Sequence, residues 1–134
     1  MLKLTYTDMG LCLEQLSEPI EVVVSRRALL AVRIGQPLYV QNSRASFLLA
    51  ATALQQSTLE HRIRTASNPS DSAGELHICP VDDHYVEVSI PGVWIADEAD
   101  AHDGTFVTRL GDRIEACLIH LWRAQGHLSV LSRP

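Results

Sequence analysis

The chain has 134 residues and a formal charge of −5. Apolar residues make up 46% of it and charged residues 20%, the balance of a globular domain that folds around one core rather than a disordered segment. The acidic net charge gives no general reason to approach a nucleic-acid backbone or an anionic membrane, and the two local basic groups, Arg26, Arg27 and Arg33 and then Arg44, Arg62 and Arg64, read as ordinary solvated faces rather than binding patches. No apolar stretch approaches the roughly 20 residues that span a bilayer, and the first residues do not follow a signal-peptide pattern.

Leu2, Leu4 and Tyr6 alternate with Lys3, Thr5 and Thr7, the period of a half-buried strand, and Met9-Gly10 turns into a second strand over Leu11–Leu16. A β-hairpin therefore opens the chain. Beyond Pro19, Ile20–Val24 is too short to classify and reads as a short helical or irregular turn. The apolar run Ala28–Ile34, closed by Gly35-Gln36-Pro37, reads as a buried strand. Leu38–Val40 and Ala45–Leu49 are expected to be two strands joined by the polar turn Gln41-Asn42-Ser43-Arg44. Ala51–Arg64, rich in helix formers, predicts an amphipathic helix, and Thr65–Gly74 a loop.

Three further strands are expected over Glu75–Cys79, His84–Ile90 and Val93–Ala96, the last two separated by Pro91-Gly92. In the middle one Val86, Val88 and Ile90 share a face, leaving Tyr85, Glu87 and Ser89 on the other. An acidic loop, Asp97–Asp103, leads through Gly104 to a strand over Thr105–Leu110. Asp112 then caps the most strongly patterned helix, with Ile114, Cys117, Leu118, Leu121 and Trp122 along one stripe and Gly126 as its stop. The order of elements predicts a single α+β domain over 1–134: a mainly antiparallel β-sheet with a middle helix and a C-terminal amphipathic helix packed on it.

Chemistry is sparse. The loop Asp97-Glu98-Ala99-Asp100-Ala101-His102-Asp103 gathers hard oxygen ligands and an imidazole, but not in the order of a calcium loop, so a solvated hairpin loop is preferred to a metal site. Asp82, Asp83 and His84 form an acid–base or metal group only if they meet His77 or His102; a turn is the commoner use of paired aspartates. Cys12, Cys79 and Cys117 lie far apart without a C-x-x-C pair and read as small buried residues in a reducing compartment. No nucleophile elbow, P-loop or dinucleotide fingerprint occurs, so no catalytic residue, cofactor or metal ligand is assigned, and the protein is not expected to be an enzyme by itself. Trp122 reads as core. Trp94, at a strand margin, reads as core edge or interface anchor. The residues singled out for partner contact are Tyr85, Glu87, Trp94, Asp97, Glu98, Asp100 and Asp103.

The segments Leu2–Thr7, Pro37–Val40 with Ala45–Leu49, Tyr85–Ser89, Gly92-Val93-Trp94 and Phe106–Thr108 resemble a family of short cyanobacterial proteins of uncharacterised activity. The resemblance implies a cytoplasmic accessory or assembly protein bound to a multi-subunit complex, with membrane association only through that partner. One such role is a peripheral V subunit of the photosynthetic NDH complex, the ferredoxin–plastoquinone oxidoreductase of cyclic electron transport, at the cytosolic face of the thylakoid. The alternative is a module that binds a small molecule or a divalent metal.

Overall fold

The computed structural model describes residues 1–50 and 75–124. The opening hairpin forms as expected: β1 (Leu2–Thr7) pairs with β2 (Gly10–Gln15) in antiparallel register, Leu4 opposite Leu13. Gly10 takes a φ of 118° at the turn, a conformation a side chain would resist. The Thr7 hydroxyl accepts the amide of Met9 at 3.2 Å and donates to the Gly10 carbonyl at 3.4 Å.

Ile20–Ile34 is one continuous helix, α1, which corrects the reading of a turn followed by a buried strand. Its three consecutive valines favour a strand locally, but the punctuation is helical. Pro19 stands before the first turn and its carbonyl accepts the amides of Val22 and Val23. Gly35 ends the helix in the left-handed region (φ 69°), with its own amide on Val32 and that of Gln36 on Ala31 at 2.9 Å. The run is not buried either, since only Val23 and Ala31 reach the interior.

Two further corrections concern strands read as broken. β3 runs unbroken from Tyr39 to Ala50, so Gln41–Arg44 is strand and not turn. Likewise β5 runs from Tyr85 to Ala96 straight through Pro91-Gly92, paired with β3 along its whole length. On its other side β5 is shared between β4 (His77–Pro80), which pairs with residues 86–89, and β6 (Gly104–Thr108), which pairs with residues 93–95. Pro91 falls in the gap between them. Its carbonyl points to that side and accepts the Thr108 hydroxyl at 2.6 Å, so the missing N–H costs no ladder bond.

The described strands form one antiparallel sheet ordered β2-β1-β6-β5-β3, with β4 beside β5. The helix α2 (Asp112–Ala124) covers its front face, where Ile114, Leu118, Ile119 and Trp122 meet Leu2, Leu4, Phe47, Val88, Ile90 and Leu110 in the main core. Trp122 stands edge-on to Phe47, ring centres 6.1 Å apart. The first intrahelical bond of α2, from the Glu115 amide, ends on Gly111, so Gly111 (φ 97°) occupies the cap and Asp112 is the first residue within. A smaller cluster on the back face joins Val23 of α1 to Met1, Ile95 and Val107.

One charged pair lies inside this framework. The Met1 ammonium meets Glu115 at 3.0 Å, both side chains 1% exposed, and donates to the Leu16 carbonyl at 2.8 Å. The other Glu115 oxygen accepts the Leu110 amide at 2.9 Å. A single carboxylate thereby joins the hairpin, the β6–α2 connection and α2, and its hydrogen bonds offset the desolvation that burial imposes. The helix predicted over Ala51–Arg64, the loop over Thr65–Gly74 and the stop at Gly126 lie outside the described residues.

Candidate functional site

Among the described residues, a partly enclosed depression lies on the front face, at the end of the sheet that α2 leaves uncovered. Strand alternation brings Gln41, Ser43 and Ala45 of β3 to one wall and Tyr6, Trp94 and Phe106 to the floor, while Asp100, Ala101 and His102 of the β5–β6 loop close the opposite side. The cavity measures about 350 Å³. Tyr6 and Trp94 meet edge to face with ring centres 5.5 Å apart and planes at 84°. Both rings and Phe106 are almost wholly buried, so the floor is rigid aromatic surface rather than mobile side chain.

Two glycines hold that floor in place. Trp94 and Phe106 are direct partners across β5 and β6, and each leans diagonally onto a glycine two residues before the other. A Cβ added at Gly104 would lie 2.6 Å from the Trp94 ring, and one added at Gly92 would lie 2.6 Å from the Phe106 ring and collide with the Val107 carbonyl. Gly92-Val93-Trp94 and Gly104-Thr105-Phe106 therefore form a reciprocal lock, in which each missing side chain makes room for an aromatic ring. The repeated Gly-x-aromatic spacing is the signal in the sequence by which Phe106 belongs with Trp94.

The loop at 97–103 stands at the cavity's margin. Ala101 packs against the main core and its amide reaches the Glu98 carbonyl, which makes a turn of the loop. Asp97, Glu98, Asp100 and Asp103 are exposed. Among the described residues only Asp97 has a cationic neighbour, Arg27 at 3.6 Å. Among the described residues no cation pairs with Glu98, Asp100 or Asp103, which puts a negative field beside the cavity mouth.

The seven residues singled out from sequence divide into two places. Trp94 and Asp100 line the cavity, with Asp97, Glu98 and Asp103 beside it. Tyr85 and Glu87 sit half-buried on the back face of β5, opposite Ala50 and Leu48. Asp82 and His84 lie at the β4–β5 turn. The turn is held by Asp82, whose Oδ1 accepts the amides of His84 at 2.7 Å and Tyr85 at 2.9 Å. Those two bonds to the ionised form lower the Asp82 pKa below its ordinary value. At about 3.3 Å per residue, Tyr85 and Trp94 are roughly 30 Å apart along β5, so Asp82 and His84 do not meet His102. Among the described residues no three His, Cys, Asp or Glu side chains gather at metal-binding distance.

The cysteines also need correction. Cys12 and Cys79 are exposed and Cys117 is half-buried, because the first two fall on the back face of the edge strand β2 and of the short strand β4. Of the arginines, Arg26 is bound to Glu18 at 2.7 Å, while Arg44 donates to the Glu75 carbonyl at 2.8 Å and to Ser89.

The Alr0857-like family matches residues 1–126. The chain belongs to that family. The match takes in every element above, including both Gly-x-aromatic steps and the acidic loop; the family name carries no activity with it. No curated protein and no solved structure matches the chain. No helix among the described residues is long and apolar enough to cross a membrane.

Proposed function

We propose that the protein is a non-catalytic accessory or assembly protein that binds a larger complex through the 97–103 loop and the cavity beside it. The observation that carries this reading is the pairing of exposed, unneutralised carboxylates with a rigid aromatic floor. Glu98, Asp100 and Asp103 attract a basic surface, while Trp94, Tyr6 and Phe106 offer an apolar seat for one side chain from it. A finer version, a peripheral subunit of the photosynthetic NDH complex at the cytosolic face of the thylakoid, draws its support from the strand resemblance alone.

An affinity pull-down of the tagged protein from cytosol and membranes tests the reading, run beside a Glu98→Lys/Asp100→Lys/Asp103→Lys variant. Stoichiometric recovery of a multi-subunit complex by the wild type, lost in the variant and weakened by salt, is the expected result. Equal recovery by both proteins, or recovery of the protein alone, would overturn it.

The cavity itself favours a second reading, a small-molecule or divalent-metal module. Its volume of about 350 Å³ falls within the range of small-ligand pockets, roughly 300–1,000 Å³. A melting temperature raised by a metabolite or divalent cation, and not raised in Ser43→Leu, supports that reading; no rise with any ligand tested removes it.

A further inference from the structure

A second cleft lies on the back face, and a break in the sheet makes it. β4 and β6 stand end to end along the same side of β5, β4 pairing with residues 86–89 and β6 with residues 93–95. Both ladders stop short of Pro91. Extending the register of β4 would bring Glu75 opposite Pro91, and extending that of β6 would bring Arg109 there, so the chain entering β4 and the chain leaving β6 converge on one notch. Pro91, Val93 and Val107 floor it, the first turn of α1 closes one side through Glu21, and Asn42 of β3 closes another. Its volume is about 450 Å³, within the roughly 300–1,000 Å³ of small-ligand sites.

The lining divides by chemistry. Its floor is apolar, Val107 buried and Pro91 and Val93 half-buried, whereas Glu21, Asn42, Glu75 and Arg109 around it are exposed to solvent. Two bonds hold the ends of the notch in place: the Thr108 hydroxyl on the Pro91 carbonyl at 2.6 Å, and Arg44 on the Glu75 carbonyl at 2.8 Å. Among the described residues neither Glu21 nor Glu75 nor Arg109 has an opposite charge within ion-pair distance, and the Asn42 side chain makes no hydrogen bond. With Arg44 counted, two guanidinium groups balance two carboxylates. A purely anionic ligand such as a phosphate ester meets Glu21 and Glu75 as like charges, and a purely cationic one meets Arg109. A ligand that carries both signs gains on both sides.

We infer that this cleft binds a free α-amino acid with an aliphatic side chain. The ligand carboxylate pairs with Arg109, whose planar fork of N–H donors matches a carboxylate in a way that a lysine ammonium does not. Its ammonium faces the carboxylates of Glu21 and Glu75, and its side chain seats on Pro91, Val93 and Val107. The Asn42 amide, which both donates and accepts, serves either charged group. The site goes beyond the proposed docking at the acidic loop and uses none of its carboxylates.

Isothermal titration calorimetry and thermal unfolding of the full chain with L-leucine test this, beside isoamylamine, which lacks the carboxylate, and isocaproate, which lacks the ammonium. Leucine is expected to bind saturably and to raise the melting temperature, and each analogue to bind more weakly by about tenfold or more. Backbone amide resonances of Val93 and Arg109 are expected to shift during the leucine titration. Arg109→Gln and the double variant Glu21→Gln/Glu75→Gln are each expected to weaken leucine binding by about tenfold or more. Because all three side chains are exposed, the far-ultraviolet circular dichroism of both variants should match the wild type. Absence of saturable binding by leucine and by valine, equal binding of either analogue, or leucine binding indifferent to both variants overturns the inference.

Discussion

The two described helices lie on opposite faces of one sheet and use their apolar residues differently. α2 turns Ile114, Leu118, Ile119 and Trp122 inward, and even its buried Glu115 is held by the hairpin and by Leu110. α1 is longer and at least as aliphatic, yet it buries Val23 and Ala31 and leaves Leu29, Leu30, Val32 and Ile34 outside. Apolar content alone does not say which helix belongs to the core. What separates them is whether the apolar positions keep to one stripe, as in α2, or run around the helix, as in the last turns of α1.

Mutations that sharpen this contrast are expected to rank as follows. Trp122→Ala empties a site packed against Phe47 and should cost about 3–5 kcal/mol, read by chemical denaturation. Glu115→Ala leaves the Met1 ammonium buried without its carboxylate, a loss of about 3–5 kcal/mol measured in the same way. If α2 tolerated either change as an exposed helix would, the contrast would fail.

Gly104→Ala forces a methyl group against the Trp94 ring and is expected to destabilise by about 1–3 kcal/mol. Its near-ultraviolet circular dichroism should change with the Trp94 packing, whereas a spectrum identical to wild type would argue against the aromatic lock.

Asp82 gives a smaller, pH-dependent effect. Its pKa is lowered from 3.8 in the folded protein, so its contribution is present above the unfolded value and disappears as pH falls through the lower folded one. The difference in melting temperature between wild type and Asp82→Ala should therefore shrink on acidification from pH about 5 downward. A difference that does not change with pH would assign the turn to something other than the carboxylate. Val32→Ser, on the outward side of α1, is expected to change monomer stability by less than about 0.5 kcal/mol.

Where a residue's neighbours along the chain decide its environment, the sequence could be read directly. Alternation at Leu2, Leu4 and Tyr6 gave the first strand, Met9-Gly10 the turn, and the stripe from Ile114 to Trp122 the closing helix, because a period of 2 or 3.6 is itself a statement about which face is buried. The α+β class with an antiparallel sheet followed from their order. Local signals misled where distant partners set the outcome. Pro91-Gly92 looks like a turn, but becomes strand because β3 supplies a full-length ladder and β4 and β6 leave a gap for the proline. The apolar run Ala28–Ile34 looks like a buried strand, but it is the second half of a helix framed by Pro19 and Gly35 on the back face.

The cavity shows the same division. Trp94 and the carboxylates around it were visible as residues worth attention, but Tyr6, Gln41, Ser43 and Phe106 join them only because strands remote in sequence are adjacent in the sheet. Nothing near Glu115 in the chain announces its partner, since Met1 is remote in sequence and meets it only in the folded structure. Periodicity records burial one element at a time; which elements touch is decided by the pairing of β1 with β6 and β5 with β3, contacts between segments that no local pattern connects.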